Sequence, residues 1–490
     1  MLFNSFEFLI FFPLVTVVYF VLAPRWRWFW VLGASCYFYM AFQPIYILIL
    51  AGTITIDYFA GLLIAQSVGQ RKKAYLIASI VANVGVLAFF KYFNFLNDNV
   101  RGILAEGGVS WPVSDLDILL PIGLSFHTFQ SLSYTIEVYR GRQEVERRFG
   151  IFALYVMFYP QLVAGPIERP QNLLRQFHAA HPFDHQQVRS GLLLMLWGFF
   201  KKLVIADRLA PFVNAVYDSP TGWPGISLLV ATFFFAFQIY CDFSGYSDIA
   251  LGSAQVMGFR LMKNFDSPYL SSSVGDFWRR WHISLSSWFR DYVYIPLGGS
   301  HSPRLRRYSN LLVTFLLSGL WHGASWTYVI WGGLNGLYLV IEQALGWAPP
   351  SHKGRQAAPW GVGRRFVGWA ITFSAICLSW IFFRARTLSD AVYIVRHLGD
   401  GLGSVLLHLT DLPYIRFYVM MRQSKTEFLL AVTLIALLLA TEAWNRRVPL
   451  RELLERRAAP IRWVAYYALV MAVVFLGAFN SVQQFIYFQF

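Results

Sequence analysis

A chain of 490 residues that is 57% hydrophobic and 18% aromatic but only 14% charged does not have the composition of a soluble globular protein, whose charged share lies near 25%. Segments long enough to cross a hydrocarbon core of about 30 Å recur throughout, and they require an all-α, polytopic membrane protein. The net charge of +15 sits in short loops between spans, where it marks topology and contact with anionic membrane lipids rather than nucleic-acid binding.

In chain order, the apolar pattern predicts spans at roughly 6–22, 27–42, 45–66, 74–96, 118–138, 150–165, 190–206, 226–250, 308–320, 324–345, 366–384, 427–445 and 463–480. Several are short or interrupted, as at Gln43 and Pro44, so the total is about 11 to 13 transmembrane or re-entrant helices, read as one integral domain over 1–490. The first segment contains Pro13 and is followed, not preceded, by Arg25 and Arg27, which fits a retained span better than a cleaved signal. Basic clusters orient the rest: Arg71 to Lys73, Arg140 to Arg148, Lys201 and Lys202 with Arg208, Arg304 to Arg307, and Arg446 to Arg462 are expected on the cytoplasmic side. Counting from them puts the N-terminus outside and leaves the last residues, 481–490, at the outer face. Cys36, Cys241 and Cys377 lie in apolar runs without CxxC spacing, so neither a disulfide framework nor a zinc site is expected.

No Walker loop, GxSxG elbow, HExxH or dinucleotide fingerprint is present. Of the histidines, His127, His282 and His322 fall in strongly patterned segments. His178, His181 and His185 share one polar stretch whose spacing suits a metal, but a solvated loop is the plainer reading, and no metal site is assigned. Two long apolar segments flank His322 within Trp321-His322-Gly323. An imidazole at that depth either faces a polar cavity and moves protons or is a core residue bonded to a backbone carbonyl.

The segment 255–310 is too polar to span and too aromatic for an ordinary loop. Trp278, Trp281, Leu285, Trp288 and Tyr292 recur with helical spacing, which predicts one amphipathic or re-entrant helix on the cytoplasmic side, with Asp276 as its cap. Arg279, His282, Ser286 and Arg290 share a neighbouring face, and two adjacent arginines favour a neutral His282. An interfacial helix with snorkelling arginines explains the tryptophans equally well. Asp242 and Asp248 flank Gly245, which predicts a helix break with an Asp capping the second half; a shared polar cavity is the alternative. Glu168 and Arg169 stand at a sharp turn after a span, available to each other. The tail from Phe485 to Phe490 is aromatic and carries one hydroxyl, Tyr487, either as an interface anchor or inserted into the protein.

Taken in order, YTIEVYRG (Tyr134 to Gly141), AGPIERP (Ala164 to Pro170), DFSGYSD (Asp242 to Asp248), DFWRRWHISLSSW (Asp276 to Trp288), YIPLGG (Tyr294 to Gly299), SGLWHG (Ser318 to Gly323) and the terminal FIYFQF resemble the membrane-bound O-acyltransferases, in particular the bacterial alginate O-acetyltransferase type. The resemblance implies helices arranged around a central tunnel, with His322 as the catalytic histidine and His282 at a second important polar position. Asn335 stands where some relatives carry a histidine, which puts a proton-transfer role for that position in doubt. The activity implied is relay of an acetyl group from a cytoplasmic thioester, acetyl-CoA or a similar donor, to an extracytoplasmic polysaccharide. No permanently bound cofactor is implied, and the partners would be a periplasmic or extracellular SGNH-type acetylase and the polysaccharide machinery. Arg279, Arg280 and Arg290 would suit the donor's phosphates, although the same charges are ordinary for cytoplasmic loops. Tyr487 would be the acyl way-station, and a bacterial inner membrane the location. The motifs do not separate alginate from peptidoglycan, cellulose or teichoic acid. A proton-coupled transporter using Asp242, Asp248 and His322 is the rival of another class.

Overall fold

The computed structural model describes the chain except for residues 118–119, 164, 348–360, 409, 447–455, 480–484 and 487–490. Every regular element among the described residues is helical. The chain folds as two compact units, one made of 1–195 with 246–263, the other of 196–245 with 264–490.

Six helices among the described residues are long and apolar enough to cross a membrane: Pro44–Gln66, Gly69–Glu106, Gly225–Val256, Val362–Arg384, Lys425–Asn445 and Ala459–Leu476. None of the residues in Ala459–Leu476 is buried by protein, and an apolar helix with that much free surface belongs in lipid. The remaining expected spans form shorter or more polar helices, such as Phe6–Val21, Pro24–Met40 and Leu124–Tyr139. At 16, 17 and 16 residues these fall short of the roughly 20 residues that cross a hydrocarbon core upright.

In the first unit a buried carboxylate joins three helices. Asp57 of Ile47–Gln66 accepts from Ser79 Oγ at 2.7 Å and from Asn83 Nδ2 at 2.8 and 2.9 Å, both on Gly69–Leu87. Ser79 also reaches Thr135 Oγ1 on Leu124–Tyr139, and His127 of that helix meets Thr53 Oγ1 at 3.0 Å. These bonds supply directional links between helices that bury little apolar surface difference in lipid. The carboxylate of Glu168 is occupied by Asn172 Nδ2, at 2.6 Å, and by the Met262 N–H. His178 pairs with Glu146 and His181 with the Gln176 carbonyl.

Two expectations are corrected in the second unit. No break occurs at Gly245: Gly225–Val256 runs unbroken for 32 residues. A Cβ on Gly245 would lie 2.7 Å from Gly198 O and 3.1 Å from Lys202 N. The glycine is a notch for a neighbouring backbone, and the same residue type signals either a break or a close approach. Nor are Lys201, Lys202 and Arg208 loop residues. Lys201 and Lys202 are buried in a π-helical stretch, Phe200–Ala206. Lys201 Nζ donates to Ser244 Oγ at 2.9 Å, and Lys202 Nζ bridges Asp207 at 2.7 Å and Asp242 at 2.6 Å. Arg208 pairs with Glu427 and donates to the Leu476 carbonyl. Buried cations persist because carboxylates compensate their lost hydration, and such pairing cannot be seen in a local charge count.

Candidate active site

His322 is the last residue of the helix Arg304–His322. The chain turns at Gly323 and re-enters as Trp326–Ala344, whose first turn is capped by Ser325 Oγ accepting from Thr327 N. The two helices press together through glycines. A Cβ on Gly319 would lie 2.3 Å from Tyr328 O, and one on Gly332 2.3 Å from Phe315 O. Small residues at a crossing let backbones touch, and here they bring Trp331 onto His322. The imidazole is buried, 6% exposed, and meets Trp321 and Trp331 at centroid distances of 4.9 Å and Phe383 at 5.4 Å, all nearly edge-on. Asn335 lies one turn beyond Trp331, fully buried, with Nδ2 donating to the Trp331 carbonyl at 2.8 Å. Its amide therefore braces the helix behind the cage.

The predicted single helix around His282 is two helices. Val274–Arg280 ends, and Ile283–Phe289 begins after His282, which adopts φ 44° and ψ 56°. A histidine in the left-handed region is uncommon and costs free energy unless local bonds hold it. Those bonds come from Asn264. Its Oδ1 accepts from Ser284 N at 3.2 Å, from Ser284 Oγ at 2.9 Å, and lies 3.0 Å from His282 Nδ1. A backbone N–H can only donate, so this amide atom is the oxygen. Nδ1 of His282 therefore carries the proton, and Nε2 is the ring's acceptor. Burial, not the arginines, lowers the His282 pKa to about 3. Ser273, rather than Asp276, caps Val274–Arg280. Trp281, Leu285 and Trp288 are buried in protein, 1%, 3% and 5% exposed, so this segment is not a surface-lying interfacial helix.

A row of indoles runs from one histidine toward the other. His322 packs on Trp331, Trp331 stacks on Trp380 at 5.8 Å, and Trp380 meets Trp281 at 5.1 Å, next to His282. A cavity of about 290 Å³, which neither histidine lines, is walled largely by apolar side chains with Arg279 and Arg290, and includes Trp278, Ser286 and Ser318. Ser318 is one turn before His322, and Trp278 contacts Trp331 at 5.7 Å. Arg279 and Arg290 are exposed, with near carboxylates Asp276 and Asp291. Arg280 is not at the cavity; it is held by Asp276 at 3.0 Å and Asp266 at 3.3 Å. Asp242 and Asp248 stand six positions apart on one helix, about 120° around it from each other, and Asp242 pairs with Lys202. Tyr487 lies outside the described residues. Its predecessors Phe485 and Ile486 are buried, 1% and 5% exposed, with Phe485 against Phe243 at 5.7 Å. At these two positions the tail is inserted, not an interface anchor.

Residues 148–381 match the membrane-bound O-acyltransferase family, a stretch that contains His282, His322 and the cavity. The chain is 41% identical to the Probable alginate O-acetylase AlgI of Pseudomonas aeruginosa over 396 residues, covering 80% of this chain and 73% of the relative. The chain belongs to the membrane-bound O-acyltransferase family. It is 34% identical to the peptidoglycan O-acetyltransferase of Helicobacter pylori over 443 residues, 84% of this chain and 82% of the relative. Identity to the teichoic acid D-alanyltransferase of Streptococcus thermophilus is 30% over 281 residues, 54% and 68% of the two chains. An O-acyltransferase held in a membrane by these apolar helices is thus the class to which the site belongs. Asn264, Ser284, Trp331 and Trp380 are not singled out by the sequence pattern. Asn264 and Trp380 reach the site from other segments of the chain, although the SGLWHG and DFWRRWH strings point to the elements that carry the histidines.

Proposed function

We propose that this O-acyltransferase moves an acetyl group from a cytoplasmic thioester, acetyl-CoA or a similar donor, to a polysaccharide outside a bacterial inner membrane, alginate or a similar exopolymer. The observation that carries this reading is the ring-caged His322, one turn beyond Ser318 in a cavity bearing Arg279 and Arg290. The exposed guanidiniums suit the donor's phosphates, and the apolar walls suit its thioester arm. Tyr487 accepts the acyl group. His322 takes the phenolic proton as the oxygen attacks the thioester carbonyl. The carbon–sulfur bond breaks, the thiolate leaves, and His322 returns the proton to it. The products are a tyrosyl ester and a free thiol. His282, with Nε2 as acceptor, orients the reacting group from the far end of the indole row. The same apolar walls keep water from the ester.

A periplasmic or extracellular SGNH-type acetylase then collects the group on its serine and passes it to the polymer, with the N-terminus and the tail at the outer face. The peptidoglycan and teichoic acid activities of relatives are the alternative acceptors. Purified protein incubated with labelled acetyl-CoA, without the partner, tests the relay. We expect about one acetyl on the C-terminal peptide by intact-mass and peptide analysis, lost in Tyr487→Phe. A Tyr487→Phe protein that still supports normal polymer acetylation would show that the relay is wrong.

A further inference from the structure

We propose that Asp242, held by Lys202, is a positioning residue that latches the C-terminal tail and fixes where Tyr487 works. The inference rests on the relay reading. The Asp242 carboxylate divides its oxygens: Oδ1 pairs with Lys202 Nζ at 2.6 Å, and Oδ2 accepts the backbone N–H of Ile486 at 2.7 Å. Lys202 is shared with Asp207 at 2.7 Å. One ammonium facing two carboxylates leaves acceptor capacity, and Oδ2 of Asp242 is turned to the tail, where a charge-assisted bond is strong. Because the donor is a main-chain N–H, the contact sets the register of the chain rather than the fit of a side chain. The next residue is Tyr487.

Two further bonds lead the chain to this point. Arg208 donates to the Leu476 carbonyl at 2.6 Å, and Ala478 N donates to Leu203 O at 2.9 Å. The partners come from 203–208, in and just after the π-helical stretch that carries Lys202. The latch also abuts the histidine site. Phe485, beside the latched amide, packs on Phe243, which meets the His282 ring edge-on at 4.6 Å. A tail shifted by one residue would lose both the Asp242 bond and the Phe243 contact.

The test uses full-length protein in detergent, with hydrogen exchange at the Ile486 amide and steady-state transfer from acetyl-CoA to alginate in the presence of the SGNH-type acetylase. Asp242→Asn is expected to speed exchange at Ile486 at least about tenfold and lower kcat by a similar factor. The KM for donor should not move, because the donor cavity is untouched; a general loss of packing would shift it. Ile486→Pro removes the N–H while leaving the Lys202 ion pairs intact, and should lower kcat in the same way. Unchanged exchange in Asp242→Asn, or wild-type transfer by Ile486→Pro, would overturn the latch. If Tyr487→Phe is fully active while Asp242→Asn still frees the Ile486 amide, the relay has failed and the latch stands.

Discussion

His322 and His282 are both buried imidazoles in aromatic surroundings, yet the protein holds them by opposite means. His322 ends a helix in ordinary geometry and is walled by three rings. His282 sits at a helix break with positive φ, and an amide oxygen shared with Ser284 fixes its tautomer. The rings restrict where the His322 imidazole lies. A fixed acceptor dictates the proton and the orientation together. The second arrangement suits a group that must present the same nitrogen throughout, and it leaves proton transfer to His322 in the proposed reaction.

The sharpest way to break this contrast is to remove each ring in turn. His322→Ala should lower acyl transfer by about 10²- to 10⁴-fold, the range of a lost general base, while expression and membrane insertion persist. His282→Ala should cost less, about 10²-fold, as expected for misplacing a reacting group. Initial rates with purified proteins decide it. Equal losses, or a near-normal His322→Ala, would remove the division of labour.

How far this site was legible in the sequence follows the same division. His322 stands out because two apolar runs flank it and any imidazole there needs a reason. The aromatic periodicity around His282 was legible too, but it predicted a continuous helix. Nothing local says that Asn264 reaches across to hold a left-handed residue, so the break was invisible. Gly245 shows the same limit, since a helix break and a backbone notch ask for the same residue. Lys202 read as a loop charge because one of its two carboxylates, Asp242, comes from another helix. Helix existence is encoded locally; pairing across the fold is not.

The Asn264 arrangement offers a milder test. Asn264→Ala deletes the acceptor that orders His282 and Ser284, and should lower kcat about tenfold, the worth of one net buried hydrogen bond. Asn264→Asp keeps an acceptor at the same place and should restore most of the rate. A profile in which both variants fall together would mean that the side chain's volume, not its oxygen, supports the site.

The smallest effect is one of stability, and its sign separates His282 from Glu168, another buried group outside the spans. Burial holds the His282 pKa at about 3, below its ordinary 6.5. The unfolded chain therefore binds a proton that the folded one refuses, and this group's stabilising contribution is intact above pH 6.5 and lost as pH falls toward 3. Between pH 7.5 and 5.5 the loss is on the order of 1 kcal/mol by linkage. Glu168 acts in the other direction. Burial raises its pKa from 4.5 to about 7, so the folded chain keeps a proton that the unfolded one releases, and its contribution grows as pH falls from 7 toward 4.5. Over pH 4.5 to 6.5 the two slopes oppose, and unfolding curves of the wild type in detergent should change little on their account. His282→Gln removes the acid-destabilising slope and should leave a protein relatively more stable at pH 5.5 than at pH 7.5. Glu168→Gln removes the compensating slope and should leave one that is relatively less stable at pH 5.5. If the two variants shift in the same direction, His282 is not buried as a neutral ring, and the fixed-tautomer half of the comparison fails with it.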